Sequence, residues 1–200
     1  AKWALELKLQ QNNFLLEFNL KESSLPVFPG IKFNDASFNA VVTNGEAVFS
    51  DFFAHIHNGT LTGNGRLSWS NGWKLQGQIN AKSLELQRML PNSVLTGELF
   101  GEMNISMAGT TLSRLDKDYR LEGSFEAKNG VISKLDIETI ARFGARPGVA
   151  GRTNFSEISG TLKADSQGQH IYLGKLASVA AISTGLVDID VNQQLSGKLR

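Results

Sequence analysis

Trp73-Lys74-Leu75-Gln76-Gly77-Gln78-Ile79-Asn80-Ala81-Lys82 alternates apolar or small side chains with polar ones throughout. A side-chain period of two is the signature of a β-strand, and this alternation describes one with a buried face and a wet face. The pattern returns at Tyr119-Arg120-Leu121-Glu122-Gly123-Ser124-Phe125-Glu126-Ala127-Lys128. Trp matches Tyr, Leu matches Leu, Gly matches Gly, Ile matches Phe and Ala matches Ala. A weaker copy, Ile158-Ser159-Gly160-Thr161-Leu162-Lys163-Ala164-Asp165, keeps the apolar-x-Gly-x-apolar-x-Ala core, and Leu195-Ser196-Gly197-Lys198-Leu199 begins a fourth. Each copy runs into a predicted helix or turn, so the repeat implies strands followed by a short crossover.

The central glycine of each copy shares a face with the flanking Leu, Ile or Phe. Glycine weakens a strand, so its recurrence points to strong coiling of the sheet or to close approach by a bulky neighbour. Both imply a curved sheet. Room for aromatic rings from adjacent strands and a ligand-facing surface are the two uses such notches could have.

Outward from the repeat, the same period governs most of the chain. Trp3, Leu5, Leu7 and Leu9 share a face, as do Phe14, Leu16, Phe18 and Leu20, with a hairpin turn predicted at Gln11-Asn12-Asn13. Ser23 to Gly30, holding Pro26 and Pro29, is expected to break the sheet. Alternation resumes at Ile31, passes through Phe38 to Val42, turns at Asn44-Gly45 and continues from Ala47 to Phe53. Asn-Gly is a strong hairpin signal because both residues tolerate positive φ. Further turns are expected at Asn58-Gly59, Asn71-Gly72, Asn129-Gly130 and Ser166-Gln167-Gly168. The total is roughly a dozen strands in a meander. Without long helical blocks between them, a doubly wound parallel sheet is disfavoured.

Two segments change to helical spacing. Ser133-Lys134-Leu135-Asp136 resembles a capping box, Ile137, Ile140 and Ala141 fall on one helical face, and Gly144 is placed to stop the helix. Ser83 to Leu90 is shorter, with Leu86, Met89 and Leu90 together and Pro91 as the stop. The fold class expected is mainly β: an antiparallel, strongly curved sheet, a groove or partly open barrel, with one or two short helices, forming a single β-rich domain over residues 1–200.

Composition narrows the function. Apolar residues are 41% and charged residues 20% of the chain, which suits a folded globular protein. A net charge of +1, with basic residues scattered, lacks the basic stripe that nucleic-acid binding needs. No Cys is present, so disulfides, thiolate catalysis and thiolate metal sites are excluded together. No apolar run reaches the roughly 18–20 residues of a membrane helix, and the N-terminus shows no signal-peptide pattern. The chain begins at Ala1 inside an alternating run, as expected of a segment excised from a longer protein.

Motifs for chemistry are absent. His55 and His57 would point the same way on a strand, but His170 is far off and no acidic partner stands at metal spacing. Asp188 and Asp190 fit the wet side of a strand. There is no Gly-x-Ser-x-Gly, no His-Glu-x-x-His and no dinucleotide fingerprint. Gly168 to Lys175 only superficially resembles a phosphate-binding loop, since Leu176 stands where Ser or Thr is needed. The expectation is a protein that is not an enzyme, with no catalytic residues, metal or cofactor. What remains is an apolar face: Leu67, Trp69, Trp73, Leu75, Ile79, Met103, Ile105, Met107, Leu121 and Phe125. Such a face must be covered by a second sheet, closed into a barrel, packed by helices or offered to a ligand.

Asn58-Gly59-Thr60-Leu61-Thr62-Gly63-Asn64-Gly65-Arg66-Leu67-Ser68-Trp69, the Trp73 to Ala81 repeat, Thr153 to Leu162 and Gly185-Leu186-Val187-Asp188 resemble the C-terminal region of AsmA-like proteins, over most of the chain from about Leu61. Members of that family are typically Gram-negative proteins with an inner-membrane helix and a periplasmic β-rich body, implicated in outer-membrane biogenesis and phospholipid movement. The resemblance implies a periplasmic segment, tethered to the inner membrane in the full-length protein, whose apolar groove takes phospholipid or another acyl-chain lipid. The family carries no catalytic motif onto this chain. The alternative is a scaffold that docks another envelope protein by sheet-edge contacts, while a hydrolase lacks any convergent acid-base set.

Overall fold

The computed structural model describes residues 2–10, 13–25, 28–89, 94–134, 136–143, 151–178, 182–190 and 195–200. Among these, the strands are β1 (Lys2–Gln10), β2 (Asn13–Leu25), β3 (Phe28–Thr43), β4 (Glu46–Ile56), β5 (Gly59–Ser68), β6 (Trp73–Glu85), β7 (Glu98–Gly109), β8 (Asp118–Ser133), β9 (Arg152–Asp165), β10 (Gly168–Ser178), β11 (Ile182–Asp190) and β12 (Leu195–Leu199). Helices α1 (Leu86–Met89) and α2 (Ile137–Phe143) and a 3-10 turn, Leu112–Lys117, complete the order. All twelve strands form one antiparallel sheet in sequence order, β1 beside β2 through to β12, so it is a meander with two outer edges. The mainly β fold class is as expected.

Alternate strand ends define two rims. One carries the hairpins after β1, β3, β5, β7, β9 and β11. The other carries those after β2, β4, β6, β8 and β10 and holds both α-helices, and we call it the helix rim.

Register puts the alternating apolar residues on a common face. Leu5 stands opposite Phe18 and Phe18 opposite Phe38, and further along Leu67 faces Leu75 and Leu75 faces Met107. Parts of this face are sealed: Leu20 and Leu84 are 1% exposed and Ala54 and Ala127 fully buried. Yet each strand makes its substantial contacts with its sheet neighbours and with the short helical turns. A sheet face buried without a second sheet over it has to be wrapped by the sheet itself, which is the physical meaning of the curvature. Register shifts at Ser37/Ala40, Phe49/Phe52, Ala81/Leu84 and Leu173/Lys175 mark bulges, which locally bend a strand and raise its twist.

Burial concentrates toward the helix rim in two clusters. One gathers Phe18, Leu20, Phe33, Ala36, Ala54, Ile56, Leu61 and Leu84. The other gathers Leu86, Ala127, Ile137, Phe155, Ile158, Leu173 and Leu176, with α2 as part of its cover. The opposite face is more polar, although Val41, Val48, Phe53, Tyr172 and Leu186 are exposed on it, and it is laced with cross-strand ion pairs, among them Lys163–Glu122 at 2.6 Å, Arg66–Glu46 at 3.3 Å and Lys175–Glu157 at 2.6 Å. The Lys175 ammonium, hydrogen-bonded to Glu157, holds that carboxyl below its ordinary range. Pairs this exposed add little stability each.

Several local expectations are corrected. Among its described residues, Ser23 to Gly30 does not break the sheet: β2 runs to Leu25 and β3 starts at Phe28, with Leu25 opposite Phe28, while Pro26 lies outside the described residues. Pro29 sits at the second position of β3, where a strand end tolerates a residue lacking N–H. Asn129-Gly130 is no turn: Asn129 takes a φ of +51° inside β8 and pairing with β9 continues past it. The helix cap is Asp136, not Ser133: Asp136 Oδ1 accepts from the Thr139 N–H at 2.9 Å and Oδ2 from the Thr139 hydroxyl at 2.8 Å. Buried Thr153 takes the Ile137 N–H at 2.9 Å. Only Leu86–Met89 of the second helical segment is helical, because Ser83 to Glu85 still belong to β6; Leu90 and Pro91 lie outside the described residues, as do Gln11, Asn12 and Gly144. The repeat leads into hairpin loops, not crossovers, since β6 and β8 are followed by their antiparallel neighbours.

Candidate functional site

Strands β5 to β8 build an array of four residues by four. Its rows are Leu67–Leu75–Met107–Tyr119, Gly65–Gly77–Ile105–Leu121, Gly63–Ile79–Met103–Gly123 and Leu61–Ala81–Gly101–Phe125. Neighbours in a row are about 4.8 Å apart and successive rows about 6.8 Å. None of the sixteen is Asp, Glu, His, Lys or Arg, and the Tyr119 hydroxyl is the array's one polar side-chain group other than sulfur. The polar residues between them, such as Asn64, Gln76, Asn104 and Glu122, lie on the other face by parity.

Eight of the ten sequence candidates fall within this array. Leu67, Leu75, Ile79, Met103, Ile105, Met107, Leu121 and Phe125 are members, and Trp73 borders it at the start of β6. Trp69 lies beyond β5 in the β5–β6 turn, its N–H donating to the Gly45 carbonyl at 2.9 Å and its ring centroid 5.8 Å from that of Trp73. Met107 is sealed at 7% exposed, with the 3-10 turn and buried Leu115 packed at that end of β7. The other nine are half-buried. Phe125 packs against the buried cluster under α2, whereas Leu67, Leu75, Ile79, Met103, Ile105 and Leu121 belong to neither cluster.

The glycines shape this surface. Each is flanked across the ladder by a bulky residue: Gly63 by Phe52 and Ile79, Gly101 by Phe125, Gly123 by Met103 and Leu162, Gly160 by Phe125 and Leu173. What crowds them is backbone. A Cβ at Gly77 would strike the Asn64 carbonyl oxygen, at Gly123 the Glu102 oxygen, and at Gly160 the Tyr172 oxygen. Of the two causes offered by the sequence, coiling that draws strands together therefore accounts for these three. At Gly130 a Cβ would strike both the Thr96 carbonyl oxygen and the Phe155 ring, so there an aromatic neighbour adds to the backbone crowding.

The histidines and carboxylates lie elsewhere. His55 is on the polar face of β4 with Nδ1 2.8 Å from Asp35 Oδ1. His57 does not share its direction: it sits in the β4–β5 turn at φ +54°, its N–H bonded to Asn34 Oδ1. His170 pairs with Asp188 at 2.6 Å. Among the described residues no three His, Asp or Glu side chains stand close enough to hold a metal ion, and no helix is long and apolar enough to cross a membrane.

The apolar array thus lies within a single antiparallel meander whose repeated strands carry central glycines. The model of the AsmA family matches residues 5–195, from β1 to the start of β12. The chain belongs to the AsmA family. The match reaches well beyond the stretch from Leu61 that first carried the likeness, taking in β1 to β4. Membership associates the chain with the bacterial envelope and its outer-membrane biogenesis. Comparison with curated proteins and with solved structures gives no significant match.

In this AsmA-family sheet the apolar face continues on both sides of the array, where the sequence candidates stopped. Phe18 stacks on Phe38 at 4.8 Å and Phe38 meets Phe49 edge-on at 5.2 Å, an aromatic row across β2 to β4. On the far side, Leu162 and Ile171 extend the Gly123 row through β9 and β10. The signal for all of them was present as the same alternation. Their joining to the array became visible only with strand order.

Proposed function

We propose that this chain is a non-enzymatic, periplasmic β domain whose apolar face receives the acyl chains of phospholipid or a similar lipid, as part of outer-membrane biogenesis, within a protein tethered to the inner membrane. The observation that carries this reading is the half-buried state of Leu67, Leu75, Ile79, Met103, Ile105 and Leu121, which no buried cluster absorbs. A continuous surface of this kind, free of charged side chains, suits a hydrocarbon chain, with affinity from apolar burial at about 25 cal/mol per Å². Selectivity among acyl chains would be low, because the array offers no directional polar contact beyond Tyr119.

Native mass spectrometry of gently purified protein and uptake of a fluorescent fatty acid test this. The wild-type chain is expected to carry lipid. Leu121→Asp and Ile105→Asp should keep the circular dichroism of the fold and lose uptake, since a carboxylate in the array cannot share it with hydrocarbon. Repeated absence of lipid, or undiminished uptake by both variants, overturns the proposal. The scaffold alternative draws on the outer strands β1 and β12, each of which has a sheet partner on one side. Strand addition there would leave uptake irrelevant and make binding of an envelope protein sensitive to Pro within β12.

A further inference from the structure

Three large apolar side chains stand out on the helix rim, and they occupy three successive loops. Val94, in the β6–β7 connection, is 43% exposed; Phe143, ending α2 in the β8–β9 connection, is 64% exposed; Ile182, at the start of β11 after the β10–β11 connection, is 74% exposed. Strands β6, β8 and β10 are alternate members of the sheet, so these loops follow one another about 10 Å apart along the rim. Leu95, next to Val94, packs against a buried cluster, and Ile137, at the other end of α2 from Phe143, belongs to it, so within these two connections the apolar residues divide into one turned inward and one turned outward.

Cations flank the row. The Val94 carbonyl accepts the Ser133 N–H at 2.7 Å and Ser133 is paired with Arg152, so Val94, Lys134 and Arg152 are close neighbours at the root of α2. Lys134 and Arg152 are both exposed, and neither has an ion-pair partner among the described residues. The carboxylates described around them are engaged: Glu85 with Arg88 and Asn58, and Asp136 with Thr139. Glu98 faces Lys128 across the β7–β8 pair.

We infer that the helix rim is a membrane-docking edge: Val94, Phe143 and Ile182 enter the interfacial zone of a lipid bilayer while Lys134 and Arg152 meet anionic headgroups. A protein partner needs a contiguous patch with matching shape, whereas a bilayer accepts separate apolar prongs wherever they fall and rewards adjacent cations. Three prongs spaced along a rim fit the second description. The surface is distinct from the apolar array, so the inference does not depend on what the array binds.

Flotation of the chain with phosphatidylcholine vesicles, with and without phosphatidylglycerol, tests it. The wild-type chain should float with the phosphatidylglycerol vesicles, less so as salt is raised. The triple variant Val94→Ser, Phe143→Ser, Ile182→Ser should lose binding by about tenfold or more, and Lys134→Glu with Arg152→Glu should abolish the preference for anionic vesicles. Leu112→Ser, an exposed apolar residue on the other rim, is the control and should float as the wild type does. All six substituted positions are exposed, so circular dichroism should be unchanged. A wild-type chain that stays in the aqueous fraction, a triple variant that floats normally, or equal loss in the Leu112 control overturns the inference. So does a chain that ignores vesicles yet loses self-association or protein binding in the triple variant, which would reassign the rim to a protein contact.

Discussion

Gly123 sits with Met103 on one side and Leu162 on the other, in a position where a side chain would meet the Glu102 carbonyl oxygen and lie 2.8 Å from the Met103 Cα. The obstacle is backbone and cannot swing aside, so one methyl group must push β7 and β8 apart. Gly123→Ala is therefore expected to cost about 1–3 kcal/mol, measured by urea denaturation. Gly174→Ala, where the nearest atom is Ser159 O at 3.7 Å, should fall within about 0.5 kcal/mol of wild type. Equal effects at the two sites would remove the backbone-crowding explanation. At this scale the sequence showed that the glycines matter and on which face they lie, both of which follow from local parity. It could not distinguish a crowding ring from a crowding carbonyl, since that depends on how near the next strand is drawn.

Among elements, the strands were legible and the helix ends less so. Period two is written in every strand, and the turns at Asn44-Gly45, Asn71-Gly72 and Ser166 to Gly168 fall where Asn and Gly permit positive φ; Gly45 is at +93° and Gly72 at +84°. Asn129-Gly130 carried the same signal and stayed in a strand, because pairing with β9 on one side and packing of Phe155 on Gly130 outweighed the local turn preference. The cap of α2 was misplaced by three residues. Ser133 and Asp136 are both good caps, and Ser133 is claimed by ladder pairing with Arg152 and a hydrogen bond to Val94. Asp136→Ala should loosen α2 by about 1 kcal/mol, seen as faster hydrogen exchange at the Thr139 amide, and Ser133→Ala should have no comparable effect there.

Across the whole molecule, the divide between sealed and half-open apolar surface separates stability from binding. Leu84 is 1% exposed within a buried cluster and its removal leaves a hole that curved, paired strands cannot close. Leu84→Ala should cost about 2–5 kcal/mol in urea denaturation without selectively removing lipid from the folded protein. Leu121→Ala, at a half-buried place in the array, should cost clearly less. If the order of the two were reversed, the array would be core and the binding surface would have to be sought elsewhere.

By itself the sequence determined a mainly β chain with one apolar face, a glycine-notched repeat and the AsmA family likeness, because alternation, turn chemistry and motif spacing are properties of neighbouring residues. Tertiary structure alone decided that twelve strands follow one another in a single sheet, that the sheet wraps its own apolar face, and which leucines that wrapping seals. Those outcomes depend on strand order and on how closely backbones approach, and contacts between residues far apart in the chain leave no mark on the local pattern.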